Sequence, residues 1–181
     1  DWIIDCEQTA TCQVTIINGG DLVASFNVSV EGLDPDWVII APPTVNLNEG
    51  ERGTVTIGIT PPRRSNSRAG AHHFNIRVTS PNYPGRTCGR GATLTINPYY
   101  EFAIGDLSPR QQTVTWTRRT GQAALAIANQ GNAEATFRLD GEDDQRGCAF
   151  EFQLPGGTAG RSARQAEIRV PPDAVSTVPI F

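Results

Sequence analysis

The sequence contains no methionine and no lysine, so all fifteen of its basic residues are arginine. Against nineteen acidic residues they leave a formal net charge of −4, which gives no electrostatic reason to expect a nucleic-acid partner. No apolar run approaches the ~18 residues that a membrane-spanning helix needs. Because the chain starts at Asp1 and holds no Met, we expect that it was processed or excised from a longer polypeptide.

Residue types that carry out catalysis or bind metals are sparse. The two histidines, His72 and His73, are adjacent, and adjacent side chains in a strand point to opposite faces, so they are not expected to share an ion. The acidic loop 140–144 lacks the spacing of an EF-hand, which favours a solvated turn over a calcium site. No nucleophile elbow or phosphate-binding glycine loop is present. We therefore expect no enzymatic activity, no cofactor and no metal site.

The four cysteines fit no zinc-binding pattern, because no pair has the C-x2-C spacing. Cys6 and Cys12 flank a short polar turn, so we predict a disulfide between them if the compartment is oxidising. Sequence alone does not choose among the three possible pairings of four cysteines. Four reduced, partly buried thiols are the alternative.

The dominant pattern along the chain is strict alternation of apolar and polar residues, as in Val14, Ile16 and then Val55, Ile57, Ile59. Period two with one polar face is typical of half-buried antiparallel strands, and the interruptions are rich in Gly, Pro and Asn. No amphipathic helix of useful length is found. The predicted strands are 2–5, 12–18, 24–31, 37–41, 44–47, 53–60, 72–79, 91–97, 101–107, 113–117, 122–129, 133–140, 148–154, 164–170 and 175–181.

The chain also repeats itself with an offset of 111 residues. The segment 14–20 returns at 125–131, and the same offset carries Phe26 onto Phe137, Ile57 onto Ile168 and Pro61 onto Pro172. Because the same offset relates all of these positions, the sequence predicts two copies of one domain. The strands predicted at 72–79 and 91–97 have no counterpart in the second copy, where they would begin near position 185.

The fold class that follows is all-β, with two tandem Ig-like β-sandwich domains of which the second lacks its last strands. Domain one is predicted at 1–98 and domain two, incomplete, at 99–181. The junction contains one proline and two tyrosines and should be stiff rather than a free linker. Tyr99 and Tyr100 are the candidates for packing between the domains. Trp37 is interpreted as a core residue rather than a ligand platform.

Several turn and strand segments of domain one together suggest a family. The segments 18–20, 48–50, 55–62 and 74–78, Asn-Gly-Gly, Asn-Glu-Gly, Val-Thr-Ile-Gly-Ile-Thr-Pro-Pro and Phe-Asn-Ile-Arg-Val, resemble bacterial Ig-like modules related to the NEW3 domain of α-galactosidases and to CARDB-type adhesion modules. The resemblance covers nearly all of domain one and the first two thirds of domain two. It implies tandem modules of a large surface or secreted protein, and it offers no catalytic residues to transfer.

We therefore expect a non-enzymatic structural or interaction module of a bacterial cell-surface or extracellular protein, with a protein partner or self-association into a filament. Either this chain is a piece of a longer one, which the sequence favours, or a donated strand completes domain two, as in pilus subunits. The alternative function is a spacer or carbohydrate-binding module of a secreted glycoside hydrolase. The candidate strand-exchange residues are Trp2, Ile3, Ile4, Val178, Ile180 and Phe181.

Overall fold

The computed structural model describes residues 1–113, 115, 117, 119–143, 147–153 and 162–181. Apart from a short 3-10 helix at Pro35–Trp37, the regular structure of these residues is all β. The strands are β1 Trp2–Ile4, β2 Ala10–Ile17, β3 Ala24–Glu31, β4 Val38–Ala41, β5 Thr44–Leu47, β6 Arg52–Ile59, β7 Gly70–Thr79, β8 Thr87–Ile96, β9 Phe102–Ile104, β10 Ala123–Asn129, β11 Ala135–Asp140, β12 Phe152–Gln153, β13 Ser162–Ala163, β14 Gln165–Val170 and β15 Val175–Ile180.

The chain divides into two compact units. Unit 1 comprises Asp1–Arg63 and Ala69–Asn97, and unit 2 comprises Arg64–Arg68 and Pro98–Phe181. Each unit has its own hydrophobic core. The predicted strand at 113–117 includes residues 114 and 116, which lie outside the described residues.

Unit 1 is a sandwich of two sheets. One has the strand order β2-β6-β4 and the other the order β1-β8-β7-β3-β5. Alternation places Val55, Ile57 and Ile59 of β6 on the inner face, where all three are almost completely buried. Trp37 lies at the end of the 3-10 helix rather than in a strand, and its burial confirms it as a core residue.

Strands β7 and β8 form the longest hairpin of unit 1 and fill much of its core. Their inward side chains Phe74, Leu94 and Ile96 are each at most 2% exposed. Strand β7 also pairs antiparallel with β3, so β3 has β5 on one edge and β7 on the other. Strand β5 pairs with residues 24–27 of β3 and β7 with residues 27–31, so the sheet continues through β3 at Asn27.

Unit 2 is built from a five-stranded sheet, in the order β13-β12-β15-β10-β9, and a two-stranded sheet of β11 and β14. Its core is formed by the buried residues Ile127, Leu139, Phe152, Ala166, Ile168, Val170 and Val178. The two sheets thus differ in width by three strands. Sheet strands lie roughly 4.8 Å apart, so the narrow sheet leaves part of the wide one uncovered.

A buried asparagine marks the same position in each unit. The Asn18 side chain donates to the carbonyl oxygens of Leu22 and Leu47 and accepts from the Gly20 amide, at 2.8, 2.9 and 3.1 Å. The Asn129 side chain repeats all three bonds with the carbonyl oxygens of Ala133 and Val170 and the amide of Gly131. These matched bonds define which residues of the two units are equivalent.

The equivalence confirms the 111-residue offset only for the first half of the repeat. Leu22 corresponds to Ala133 at that offset, but Leu47 corresponds to Val170, an offset of 123. The fully buried Val55 and Val178 follow the longer offset, and each faces the matching residue of β2 or β10. Unit 2 has therefore gained twelve residues between β11 and β14.

The predicted matches of Ile57 with Ile168 and of Pro61 with Pro172 are consequently wrong. Ile168 pairs with Phe137 as Val45 pairs with Phe26, so β14 is the counterpart of β5. Strand β15 is the counterpart of β6. Alternating apolar strands resemble one another in sequence, and this let β14 be mistaken for β6.

Candidate functional site

Strand β11 has one paired edge and one open edge. It pairs antiparallel with β14 over six residues, from Ala135 opposite Val170 to Asp140 opposite Gln165. No other strand of the described part of unit 2 pairs with it. Its counterpart β3 is paired on both sides, so β11 presents the backbone groups that β7 satisfies in unit 1.

The uncovered part of the wide sheet carries apolar side chains that face inward. Strand β9 pairs with β10 so that Phe102 lies opposite Asn129 and Ile104 opposite Ile127. Directly opposed residues point to the same face, and both partners in β10 are buried. Phe102 and Ile104 thus point toward the sandwich interior, yet they are 55% and 59% exposed.

Two further contacts fix the limits of this surface. The Phe102 ring meets the Phe137 ring edge-on, with 5.4 Å between the centroids, which links β9 to β11 of the other sheet. Ser108 and Ala124 exchange backbone hydrogen bonds of 3.0 and 2.9 Å, which extends the β9 edge past Leu107, itself 46% exposed. We call Phe102, Ile104, Leu107, Phe137 and the free edge of β11 the open face.

Unit 1 shows what normally covers such a surface. There the inward side chains of β7 and β8, Phe74, Leu94 and Ile96, pack against the core formed by β2 and β6. The described part of unit 2 contains no counterparts of these two strands after β15.

The open face offers hydrophobic burial and main-chain hydrogen bonds rather than acid–base chemistry. On β11, the charged side chains of Arg138 and Asp140 both bond to the Gln165 side chain across the β11–β14 ladder. The described residues include no group of three or more His, Cys, Asp or Glu side chains that could hold a metal ion. What this arrangement can do is bind an extended peptide segment.

The predicted strand-exchange segments already have partners within their own units. Trp2, Ile3 and Ile4 form β1, which pairs parallel with β8, and the Trp2 ring stacks on Phe74 at 6.1 Å. Val178 and Ile180 belong to β15 between β10 and β12. The Phe181 backbone exchanges hydrogen bonds of 2.8 and 2.9 Å with Glu151. The structure shows an unpaired edge at β11 beside exposed apolar side chains, and the sequence reasoning did not single it out.

The two junction tyrosines lie at the start of unit 2. The Tyr99 amide donates to the Asn132 side chain at 2.8 Å, while Tyr100 is largely exposed. Their packing between domains stays a prediction. The Arg68 side chain donates to the Pro172 carbonyl oxygen at 3.0 Å within unit 2.

All four cysteines are thiols in the structure. Cys6 and Cys12 are half-buried and pack against the core of unit 1, whereas Cys88 and Cys148 are exposed. Burial raises the pKa of the Cys12 thiol. The Cys6–Cys12 disulfide stays a prediction for an oxidising compartment.

The adjacent histidines point to opposite faces, as their place in a strand predicts. His72 is half-buried and meets the Trp37 ring edge-on at 5.8 Å, and the exposed His73 shares a 3.0 Å hydrogen bond with Thr93. In the acidic loop, one Asp143 carboxylate oxygen accepts from the Gly147 and Cys148 amides. Residue 144 lies outside the described residues.

The open face was detectable in the sequence only in part. The alternation of Phe102 and Ile104 predicts a strand with one apolar face, and the missing β7-like run predicts an uncovered sheet. The two features form one surface because β9 pairs with β10. In unit 1, by contrast, the first strand β1 pairs with the last strand β8. Nothing local in the sequence specifies that choice.

Comparisons with known proteins give a fold-level likeness. No protein-family model and no curated protein matches the sequence, so the resemblance to NEW3 and CARDB-type modules stays a prediction. Solved structures that are similar include the CupB2 chaperone of Pseudomonas aeruginosa, with a TM-score of 0.36, 8% identity, and coverage of 97% of this chain and 83% of that one.

Two further structures are similar. One is the CsuC–CsuE chaperone–tip adhesion subunit pre-assembly complex of Acinetobacter baumannii, with a TM-score of 0.35, 14% identity, and coverage of 97% and 82%. The other is SSP-19, an MSP-domain-like protein of Caenorhabditis elegans, with a TM-score of 0.37, 14% identity, and coverage of 50% and 91%. These neighbours are Ig-like or PapD-like β-sandwich proteins, and the likeness concerns the fold alone. No helix in the described part of the chain is long and apolar enough to cross a membrane.

Proposed function

We propose that this chain is a non-enzymatic interaction module whose unit 2 accepts a β-strand from a protein partner along the open edge of β11. The observation that carries the proposal is the coincidence of an unpaired edge with inward-facing apolar side chains at Phe102 and Ile104, beside the exposed Leu107. An added strand would hydrogen-bond to β11 through its main chain and bury alternate side chains on this surface.

The chemistry of the donor follows from unit 1. Strand β7 runs antiparallel to β3, with Val78 opposite Val28 and Ile76 opposite Val30. It presents Phe, Ile and Val at alternate positions, and Phe74 is buried. The partner segment we infer is therefore an extended strand with bulky apolar residues at every second position, antiparallel to β11.

The donor has to come from outside the described residues. Each of the fifteen strands already has a place in a sheet, so none is left over to cover the open face. Exposed apolar groups beside an unpaired edge favour association with another chain. We assign the donated strand to a second polypeptide. For a chain of two tandem units, we propose that this partner is another copy of the chain and that the copies associate into an extracellular or cell-surface filament.

The test uses the full chain and a fluorescein-labelled peptide of the β7 sequence, residues 70–79. We expect saturable binding by fluorescence anisotropy, together with slowed amide exchange in β11. A peptide of the same composition with its alternation broken is the control and should bind at least about tenfold more weakly, because half of its apolar side chains would face solvent. Equal binding of the two peptides would overturn the proposal.

A matched pair of variants locates the binding surface. Ile104→Asp places a charge on the open face and should abolish peptide binding. Val175→Asp changes a residue that is 67% exposed and lies opposite Ala128 on the outer side of the wide sheet. It should bind as the unaltered chain does, and loss of binding in both variants would contradict the assignment.

The intact mass of the native polypeptide, reduced and denatured, tests the source of the strand. A mass near 19.5 kDa leaves a second polypeptide as the donor. A larger mass, with β11 amides protected in the monomer, would show that the same chain covers the open face and would overturn donation by a partner.

A further inference from the structure

The proposed function does not involve a cleft at one end of unit 1. The cleft has a volume of about 400 Å³, within the size range of small-molecule sites. The end of β2, the start of β3 and the ends of β7 and β8 that meet at residues 80–86 surround it. Both sheets of the sandwich thus contribute to its walls.

Its floor is apolar and its rim is polar. Ile16, Phe26 and Val78 line the inner part, and each belongs to or packs against the core of unit 1. Tyr83 and Arg86 stand at the rim. An added Cβ at Gly20 would overlap the Tyr83 hydroxyl, so the absence of a side chain there lets the phenol ring close one wall.

The rim is held in place by several hydrogen bonds. The Ser80 carbonyl oxygen accepts from the Tyr83 amide at 3.2 Å, and the Tyr83 carbonyl oxygen accepts from the Arg86 amide at 3.1 Å. The Asn82 side chain accepts from the Ser25 amide at 2.9 Å, which ties the turn to β3. A rim ordered in this way does not have to be ordered again on binding.

The charge of the residues that line the cleft favours a negatively charged ligand. Arg86 is the one charged side chain among the described lining residues, in a chain whose net charge is negative. The ion pairs Arg77–Glu31 and Arg110–Asp106 do not involve it. A guanidinium at the mouth of an apolar cleft suits a carboxylate that has an apolar body.

We propose that this cleft of unit 1 binds a small monocarboxylate with an aromatic or aliphatic body. The body packs on Ile16, Phe26 and Val78, and the carboxylate accepts hydrogen bonds from the Arg86 guanidinium and the Tyr83 hydroxyl. The site is independent of the strand-acceptor proposal, because all its residues belong to unit 1.

The probe for the test is 2-naphthoate, added to the isotope-labelled chain and followed by amide chemical shifts in NMR spectra. We expect saturable shifts at residues 16–20 and 78–88. The neutral 2-naphthamide has nearly the same shape and should bind about tenfold more weakly, because it forms no charge-assisted bond with Arg86.

Two exposed arginines of the same region give a matched pair of variants. Arg86→Gln should weaken 2-naphthoate binding about tenfold and leave 2-naphthamide binding unchanged. Arg90 lies on β8 outside the cleft, so the Arg90→Gln variant should bind 2-naphthoate as the unaltered chain does. No shifts up to millimolar probe, equal affinity for both probes, or the same effect of both variants would each overturn the proposal.

Discussion

At the scale of single residues, Asn18 and Asn129 do the same structural work in the two units. Each is buried, and each side chain donates to two main-chain carbonyl oxygens and accepts from one amide. The segment 14–20 was recognised as a repeat, but the sequence could not tell that its Asn is buried. A polar residue after a strand is ordinarily read as part of a turn.

Replacing either asparagine should be costly. Asn18→Ala leaves the buried Leu47 carbonyl oxygen without this donor, so we expect unit 1 to lose about 2–3 kcal/mol of unfolding free energy. Asn129→Ala should do the same to unit 2. Chemical denaturation followed by residue-resolved NMR measures both losses. Asn46→Ala, which removes an exposed hydrogen bond to Ser25, is the control and should cost less than about 1 kcal/mol.

The reactivity of Cys12 should depend on pH in a defined direction. Burial raises the pKa of its thiol above the ordinary value, so less thiolate forms at a given pH. Iodoacetamide should modify the exposed Cys88 and Cys148 first and Cys12 only at more alkaline pH. Peptide mapping by mass spectrometry measures the order, and modification of Cys12 at the rate of Cys88 would contradict it.

The same shift has a consequence for stability. Because the folded-state pKa is above the unfolded one, the folded chain holds this proton to higher pH. The contribution is fully present below the unfolded pKa and is lost as pH rises through the folded pKa. Cys12→Ser should therefore flatten the alkaline part of the stability–pH curve of unit 1.

At the scale of elements, most strands could be predicted from alternation alone. In unit 1 every predicted strand has an observed counterpart, because β-branched residues alternate with polar ones between clear turns. In unit 2 the predictions overlap β9, β10, β11, β12, β14 and β15, but they omit the short β13 and give β14 the role of β6. Pairing depends on which strands meet in space. When two strands have the same alternation of apolar and polar residues, the alternation alone does not specify which strand each of them pairs with.

The open edge of β11 should be visible in amide hydrogen exchange. Amides of β11 that point away from β14 have no strand partner among the described residues, whereas those of β3 face β5 or β7. We expect alternate β11 amides to exchange much faster than the β3 amides that bond to β7. Uniform protection along β11 in the monomer would show that its second edge is covered.

At the scale of the whole molecule, two cores coexist in one chain. Val55 and Val178 are equivalent and both are fully buried, one in each core. Val55→Ala should destabilise unit 1 and Val178→Ala should destabilise unit 2, each by about 2–3 kcal/mol. Residue-resolved denaturation measures which unit responds. Val175→Ala changes an exposed residue at the start of β15; it is the control and should change neither by more than about 0.5 kcal/mol.

The difference in sheet width within unit 2 has a mechanical consequence. A strand lying along β11 would be held by a row of hydrogen bonds, and tension applied along its axis would load all of them together in shear. Tension applied across the strand would instead break them one at a time. A module built in this way would sustain a pulling force along one direction and release its partner easily in another, and the rate of forced release would depend on the direction of pull.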